Sequence, residues 1–535
     1  MPTVLLETFG TGGNSWLFKD PVEVLRGDEP EQVPALLRLA QRRVGEGFHA
    51  AGFVSYEAAP AFDRHLAACR NPRVPLLLLG IYPTRTAVVP GEWAPHPPGE
   101  FGTAGWTPSV SRDSYLRRFR RIREYIAGGH AYQVNFTYRE KFSFRGDPFA
   151  LYRRMTARQQ APYCAWIEAG DLRVLSASPE LFFSLQEDRI AAEPMKGTAR
   201  REEHPEADLA AALRLADDPK ERAENLMITD LLRNDLGRIA VPGSVHVPQM
   251  FRVSSLPTVH QMTSRVTALL REGCGVPETF SALFPCGSVT GAPKRRAMEI
   301  AAELEGSPRG LYTGAIGHIS PGEAAFSVAI RTALIDLPSG RGELGIGSGV
   351  TWYSSAEGEH AECAAKGAFV RGAGDFRLIE TLLCRDGDWF LLERHLRRLE
   401  RSANELGFTV DGDRLALRLQ QQGAGRSGQL KGRVLLQRDG SFSVEVTPLD
   451  SLPETAQLFL SRRRVRSADP FLRHKTTLRD IFDDPEAPAG TESLFLNERG
   501  EVTESSTANV VLRLQGELVT PPLSCGLLPG VMREE

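Results

Sequence analysis

The sequence predicts a chain of mixed helices and strands in two parts, a larger one over residues 1–373 and a smaller one over 374–535. Three observations lead there. The chain has 535 residues, enough for two or more cores at about 100–200 residues per domain. Short apolar runs bounded by Gly and Pro alternate with stretches of helical spacing. After the junction at 371–375 the pattern restarts: a strand at 376–384, an Asp-Gly turn, another strand, and a helix over 393–406.

Taken in order, the first residues carry no basic segment ahead of an apolar run, so no signal peptide is expected. Leu5-Leu-Glu-Thr8 and the Leu-rich run at 74–81 read as core strands, and the Pro- and Gly-rich stretch 83–108 as a surface loop. Residues 111–128 have helical spacing at Tyr115, Phe119, Ile122, Tyr125 and Ile126, with Ser111 placed to cap. Strands are expected at 133–144 and 181–190, a charged helical stretch at 204–236, and consecutive strands at 310–320, 324–335 and 343–350. Residues 356–369 read as a helix and 420–428 as a loop.

Composition narrows the class. With 41% hydrophobic and 24% charged residues and a net charge of -3, the chain is ordinary for a soluble globular protein. It has no field to draw nucleic acid or an anionic membrane, and no apolar run near the roughly 18–20 residues of a membrane span. Seven scattered cysteines without a CxxC pair predict a reducing, cytoplasmic setting. Only eight of the 64 basic residues are lysines. Arg replaces Lys for surface charge but not as an amine nucleophile, so Lys196, Lys294, Lys366 and Lys475, which lie in motifs, draw attention.

Four clusters carry chemistry in the larger part: Ser178-Pro-Glu-Leu-Phe182, Glu193-Pro-Met-Lys-Gly-Thr198, Lys220 to Asp235, and Glu359-His-Ala-Glu362-Cys-Ala-Ala-Lys366. Glu221 and Glu224 are three apart, as are Glu359 and Glu362. On helices each pair shares a face. Two such faces offer oxygens to Mg²⁺, or are simply solvated acidic faces. Lys196 is either a nucleophile at a strand-to-loop corner or the ion-pair partner of Glu193. The Gly-rich elements at 287–294 and 345–350 let backbone N–H groups approach an anion, or are tight turns. Neither has Walker A spacing.

Together these strings resemble the chorismate-utilising enzymes, which include anthranilate, aminodeoxychorismate, isochorismate and salicylate synthases. The matching strings are QVNFT (133–137), SPELFF (178–183), PMKGTA (194–199), ENLMITDLLRNDLGR (224–238), FPCGSVTGAPK (284–294), YTGAIG (312–317), FSVAIRTA (326–333), GSGVT (347–351) and ECAAK (362–366). They cover roughly residues 100–370 in the family's order. The resemblance implies an α+β domain with antiparallel sheets and helices. It implies that Glu224 and Glu362, with Glu221 and Glu359 nearby, hold Mg²⁺ against the ring carboxylate of chorismate. It implies that Tyr312 and Arg331 grip the enolpyruvyl carboxylate, with Thr290, Gly347 and Gly349 completing an anion cradle. Glu180 is implied as the general acid for the C4 hydroxyl.

Two positions then select the reaction. Gln133 stands where hydrating members place a water-activating lysine, and Gln is no base. The P-x-K-G-T string matches members that aminate at C4, with Lys196 attacking C2 before ammonia enters. The H-L-V-S string of anthranilate-forming relatives reads His260-Gln-Met-Thr-Ser264 here, which puts His260 out of register with their catalytic histidine. No glutaminase triad or cysteine elbow is present, so ammonia is expected from a separate glutamine amidotransferase subunit. The other readings are an anthranilate synthase component I, against which Lys196 argues, and a partner-docking scaffold with a decayed site, against which the intact acids and Lys196 argue.

In the smaller part, Lys475 beside His474 and Thr476, the acid Glu504, and Arg398 could each be a surface ion pair, or together an imine-forming lysine, a pyridinium partner and a phosphate ligand. Their order resembles the class IV pyridoxal phosphate (PLP) enzymes, closest to aminodeoxychorismate lyases. That implies an α/β domain with those roles, converting the aminated product to 4-aminobenzoate and pyruvate. In that family further strands follow the Gly526-Leu-Leu-Pro-Gly530 turn, so a C-terminally shortened domain with an open sheet edge is expected.

Overall fold

The computed structural model describes residues 1–10, 13–69, 74–202, 204–256, 259–371, 374–449 and 455–535. Part of the predicted junction, residues 372–373, lies outside them. The chain forms two compact units: residues 1–97, 107–141 and 152–371, and residues 98–106, 142–151 and 372–535.

The larger unit is built on two long sheets. One runs in the order Gly291–Ala292, Gln133–Gly146, Arg341–Thr351, Thr332–Asp336, Leu172–Ser178, Tyr163–Ala169, Thr3–Glu7, Ser15–Phe18, Thr86–Val88. The other runs Met195–Arg200, Val259–Leu269, Arg189–Glu193, Leu181–Gln186, Glu323–Val328, Ala315–Ser320, His49–Val54, Leu77–Tyr82, Glu23–Gly27. Neighbours are antiparallel, as in Val4 opposite Ile167 and Ile316 opposite Phe53. Helices Val33–Gly45, Pro219–Gly237 and Val276–Leu283 supply apolar residues to a core with the second sheet, through Leu37, Ile228, Leu232 and Phe280 among others. The α+β class implied by the resemblance is the observed one.

Local chemistry explains where the elements differ from expectation. The stretch 181–190 is a hairpin, because the chain turns at Glu187 with φ of 53°. The charged stretch 204–236 is two helices, Pro205–Asp217 and Pro219–Gly237, divided where Pro219 opens the second. Asp218 caps it by accepting from the Lys220 and Glu221 N–H groups at 2.8 and 3.0 Å. Residues 324–335 split into Glu323–Val328 and Thr332–Asp336 around Arg331, whose φ is 50°. The expected loop 83–108 instead contains the strands Thr86–Val88 and Phe101–Pro108, the latter burying its first four residues. Helix Arg112–Ala127 starts as predicted, with the Ser111 hydroxyl accepting from Ser114 N–H at 3.3 Å.

The smaller unit has an antiparallel sheet in the order Asp388–Trp389, Leu378–Arg385, Gln429–Leu436, Phe442–Pro448. Helices Leu392–Leu406 and Gly412–Gly423 pack on it through Leu399, Ala403, Leu415 and Leu419. The second of these extends into the expected loop 420–428. A three-stranded sheet follows, with Gln457–Val465 parallel to Thr491–Asn497 and Val502–Ser505 antiparallel to it. Leu458 and Leu460 of Gln457–Val465 are exposed. No helix among the described residues is long and apolar enough to cross a membrane.

Candidate active site

Lys196 lies on the strand Met195–Arg200, half-buried, and its amine is aimed at a gap left by a glycine. A Cβ on Gly349 would lie 2.9 Å from Lys196 Nζ and 2.6 Å from Gln133 Nε2. Glycine is therefore required there by space, not by backbone conformation. Gly347 is constrained in the same way, a Cβ there falling 2.7 Å from Thr137 and 2.8 Å from the Phe136 carbonyl. Gln133 is fully buried, and neither atom of its amide meets a partner among the described residues.

Glu180 sits at the break between Leu172–Ser178 and Leu181–Gln186, 2% exposed. Burial pushes its carboxyl up to about 7, against the opposing pull of the Ser288 hydroxyl and the charge of Lys196. Met195 N–H donates to it at 3.5 Å, and Cys286 Sγ lies 4.0 Å away. A carboxyl held near neutral retains a proton to give.

The two acid pairs arrive on helices Pro219–Gly237 and Ala356–Gly367. Burial raises the Glu221 carboxyl, reinforced by Glu224 and, more weakly, Glu362. Burial also raises Glu359, reinforced by Glu362. Burial works to raise Glu362 as well, but Lys366, 2.6 Å away, outweighs it and holds that carboxyl low. Lys366 also donates to the Gly347 carbonyl at 3.1 Å. Glu224 accepts from the Thr351 hydroxyl at 3.1 Å. Acids from two helices thus crowd within electrostatic reach, and a divalent cation would relieve that crowding. No three His, Cys, Asp or Glu side chains among the described residues form a ready cage. The set suits an ion that keeps waters and takes oxygens from a ligand, as Mg²⁺ does.

The remaining expected contacts are unevenly prepared. Arg331 is held by the neutral amide oxygen of Gln159, and burial lowers its proton affinity to about 10. The Tyr312 ring packs where Gly345 lacks a side chain, and burial pushes its hydroxyl up to about 12. Thr290 differs: its hydroxyl lies 3.2 and 3.3 Å from the carbonyls of Cys286 and Gly287, so it closes its own turn.

Sequence reading left out three participants. Asn225 donates from Nδ2 to the Lys196 and Met262 carbonyls, both at 3.4 Å, and accepts from Ser264 at 2.5 Å. Ser288 and Cys286 flank Glu180. All three lie inside strings quoted above, but only distance reveals their roles. His260 is hydrogen-bonded to Asp208 and Ser255, each at 2.9 Å.

In the smaller unit, Lys475 Nζ donates to the Thr381 hydroxyl at 3.2 Å, and burial lowers its proton affinity to about 8. Glu504 is buried, which raises it to about 7, and it accepts from Leu528 N–H at 3.0 Å and Asn509 at 3.4 Å. Arg398 is not a free fork. It grips Glu380 through two bonds of 2.8 and 2.6 Å, while another N–H reaches the Pro529 carbonyl. It also lines a cavity of about 300 Å³ with Arg394, Arg397, Arg401 and Glu534. An amine of lowered proton affinity and a buried acid suit PLP, but its phosphate would meet Arg398 already engaged by Glu380.

Comparison with known proteins places this geometry. The chorismate binding enzyme family matches residues 2–372, and the amino-transferase class IV family matches residues 377–535. The chain therefore belongs to the chorismate binding enzymes and carries a class IV amino-transferase domain behind that region. Within the family it is similar to aminodeoxychorismate synthase component 1 of Salmonella typhimurium, at 41% identity over 261 residues, 49% of this chain and 57% of that one. Anthranilate synthase component 1 of Saccharolobus solfataricus is less similar, 36% identical over 269 residues, 50% of this chain and 63% of that one. The chain thus spans less than two thirds of either relative. The crystal structure of anthranilate synthase component I from Streptococcus pneumoniae shares the fold, with a TM-score of 0.59 and 24% identity over 68% of this chain and 93% of that one.

Proposed function

We propose that residues 1–373 aminate chorismate at C4 to give 4-amino-4-deoxychorismate, using ammonia from a separate glutamine amidotransferase subunit. The observation that carries this reading is the pairing of one amine with one buried acid. Lys196 Nζ reaches the gap over Gly349, and its charge acts on Glu180, whose carboxyl burial keeps near neutral.

In the proposed sequence the neutral Lys196 amine forms a bond to C2 of the ring. Both ring double bonds shift, from C1–C2 and C5–C6 to C1–C6 and C4–C5, and the C4–O bond breaks as Glu180 donates its proton, so water leaves. Ammonia then bonds to C4, both double bonds shift back, and the C2–N bond breaks to return Lys196 as the neutral amine. The new ammonium group gives a proton back to Glu180. The balance is chorismate plus ammonia to aminated product plus water, in two displacements instead of one. Gln133, with no basic lone pair to offer at neutral pH, does not activate water for a competing attack.

Mg²⁺ would be held by Glu224 and Glu362 with Glu221 and Glu359 nearby, and would supply charge neutralisation for a ligand carboxylate. Arg331 and Tyr312 would orient the second carboxylate, Arg331 because its charge is met by the neutral amide oxygen of Gln159. We further propose that residues 374–535 are a PLP-dependent lyase acting on the first unit's product. Lys475 and Glu504 would hold the cofactor, which supplies an electron sink, and Arg398 would serve its phosphate only on loosening from Glu380.

One incubation tests the reading: purified chain, chorismate, Mg²⁺ and ammonium, with and without PLP, with products identified by mass spectrometry. Aminodeoxychorismate without PLP and 4-aminobenzoate with it are expected. Anthranilate as the product would overturn the assignment.

A further inference from the structure

Buried polar groups are nearly always answered by a partner, and two glutamines of the larger unit break that rule together. Neither amide atom of Gln133 nor Nε2 of Gln261 meets a partner among the described residues. Gln133 faces Lys196 over Gly349. Gln261 is 4% exposed and lies on the strand Val259–Leu269, which pairs directly with the strand of Lys196. Gln261 stands opposite Thr198, and Thr263 opposite Met195; the register slips between those two rungs, so the Lys196 segment bulges against the stretch carrying Gln261. Asn225 fixes this junction through the Lys196 and Met262 carbonyls. The neighbouring His260 is already held by Asp208 and Ser255, so it does not answer the amide.

An unmade hydrogen bond on a buried donor destabilises the chain that carries it. One such donor faces the Lys196 amine and the other lies on the strand paired with that of Lys196, and both are offset when a bound ligand accepts from them. We propose that Gln261 is a substrate-binding residue of the Lys196 site, donating from Nε2 to a carboxylate oxygen of the bound cyclohexadiene dicarboxylate. The inference rests on the amination reading and adds a specificity element to it. An amide binds an anionic oxygen while neither taking a proton nor presenting a negative charge.

Calorimetric titration of chorismate with Mg²⁺ into the full chain, comparing wild type, Gln261→Leu and Gln261→Glu, tests this. Leu should weaken binding about 10–100-fold, and Glu should weaken it further because carboxylate would oppose carboxylate. The Tm of the Leu variant should equal or exceed that of wild type, since the lost Nε2 donor meets no partner among the described residues. Wild-type affinity in the Leu variant, equal losses in the two variants, or a lowered Tm for Leu would each sink the inference while leaving the amination reading standing. A wild-type chain that binds no chorismate would overturn both.

Discussion

Asn225 holds Lys196 by its backbone, donating from Nδ2 to the Lys196 carbonyl at 3.4 Å while Ser264 donates to the Asn225 amide oxygen at 2.5 Å. The amine is thereby carried on a strand fastened to the helix that bears Glu221 and Glu224. Asn225→Leu should lower kcat about 10-fold with little change in KM, since it frees the backbone of the proposed nucleophile without touching the proposed anion contacts. Steady-state kinetics with ammonium would show the split.

Lys196→Ala should lower amination by more than about 10²-fold, with circular dichroism and Tm unchanged because the amine is not part of the core. Lys196→Arg should fail equally, since a guanidinium keeps the charge and loses the nucleophile. Wild-type turnover in either variant would refute the covalent role.

Glu180 sets a pH dependence whose sign follows from its raised carboxyl, about 7 when folded. The folded chain holds this proton more tightly than the unfolded chain does. The associated stability is full below the ordinary carboxylate range and is lost as pH rises toward 7. The acid is also spent over the same rise, so kcat should fall as pH passes through about 7. Glu180→Gln should lower kcat about 10²–10⁴-fold and remove the Glu180 contribution to the pH dependence of Tm. An unchanged kcat–pH profile in that variant would exclude Glu180 as the acid.

Gly349→Ala should abolish most activity, because its Cβ would fall 2.6 Å from Gln133 and 2.9 Å from Lys196. Because Gln133 is fully buried, its displacement by that Cβ should bring a stability loss of about 1–3 kcal/mol. Denaturant titration beside an activity assay would register both.

Arg309 tests the core beneath the site. It is buried against Glu305 at 2.7 Å and also donates to the Val289 and Asn135 carbonyls, both at 2.8 Å. Arg309→Met should cost about 3–5 kcal/mol by stranding Glu305 without its charge partner, seen as a lowered Tm. The double replacement Arg309→Met with Glu305→Leu should recover part of that loss.

The sequence by itself determined a good deal. Helical spacing and Ser111 placed the helix Arg112–Ala127, and the three-residue intervals put Glu221 with Glu224 and Glu359 with Glu362 on common helix faces. These features are local, so they are written in neighbouring residues. Other local signals were outweighed. Residues 101–104 sit in a Pro- and Gly-rich stretch yet form a buried strand, because backbone groups taken from water must find partners in a sheet. Only the tertiary structure decided that Gly349 clears space for Lys196 and Gln133, that Asn225 ties two strands to a helix, and that Arg398 closes on Glu380. It also decided that burial keeps Glu180 near neutral. Solvent exclusion and cross-chain distance set those properties, and both come into being only when segments far apart in the chain are packed together.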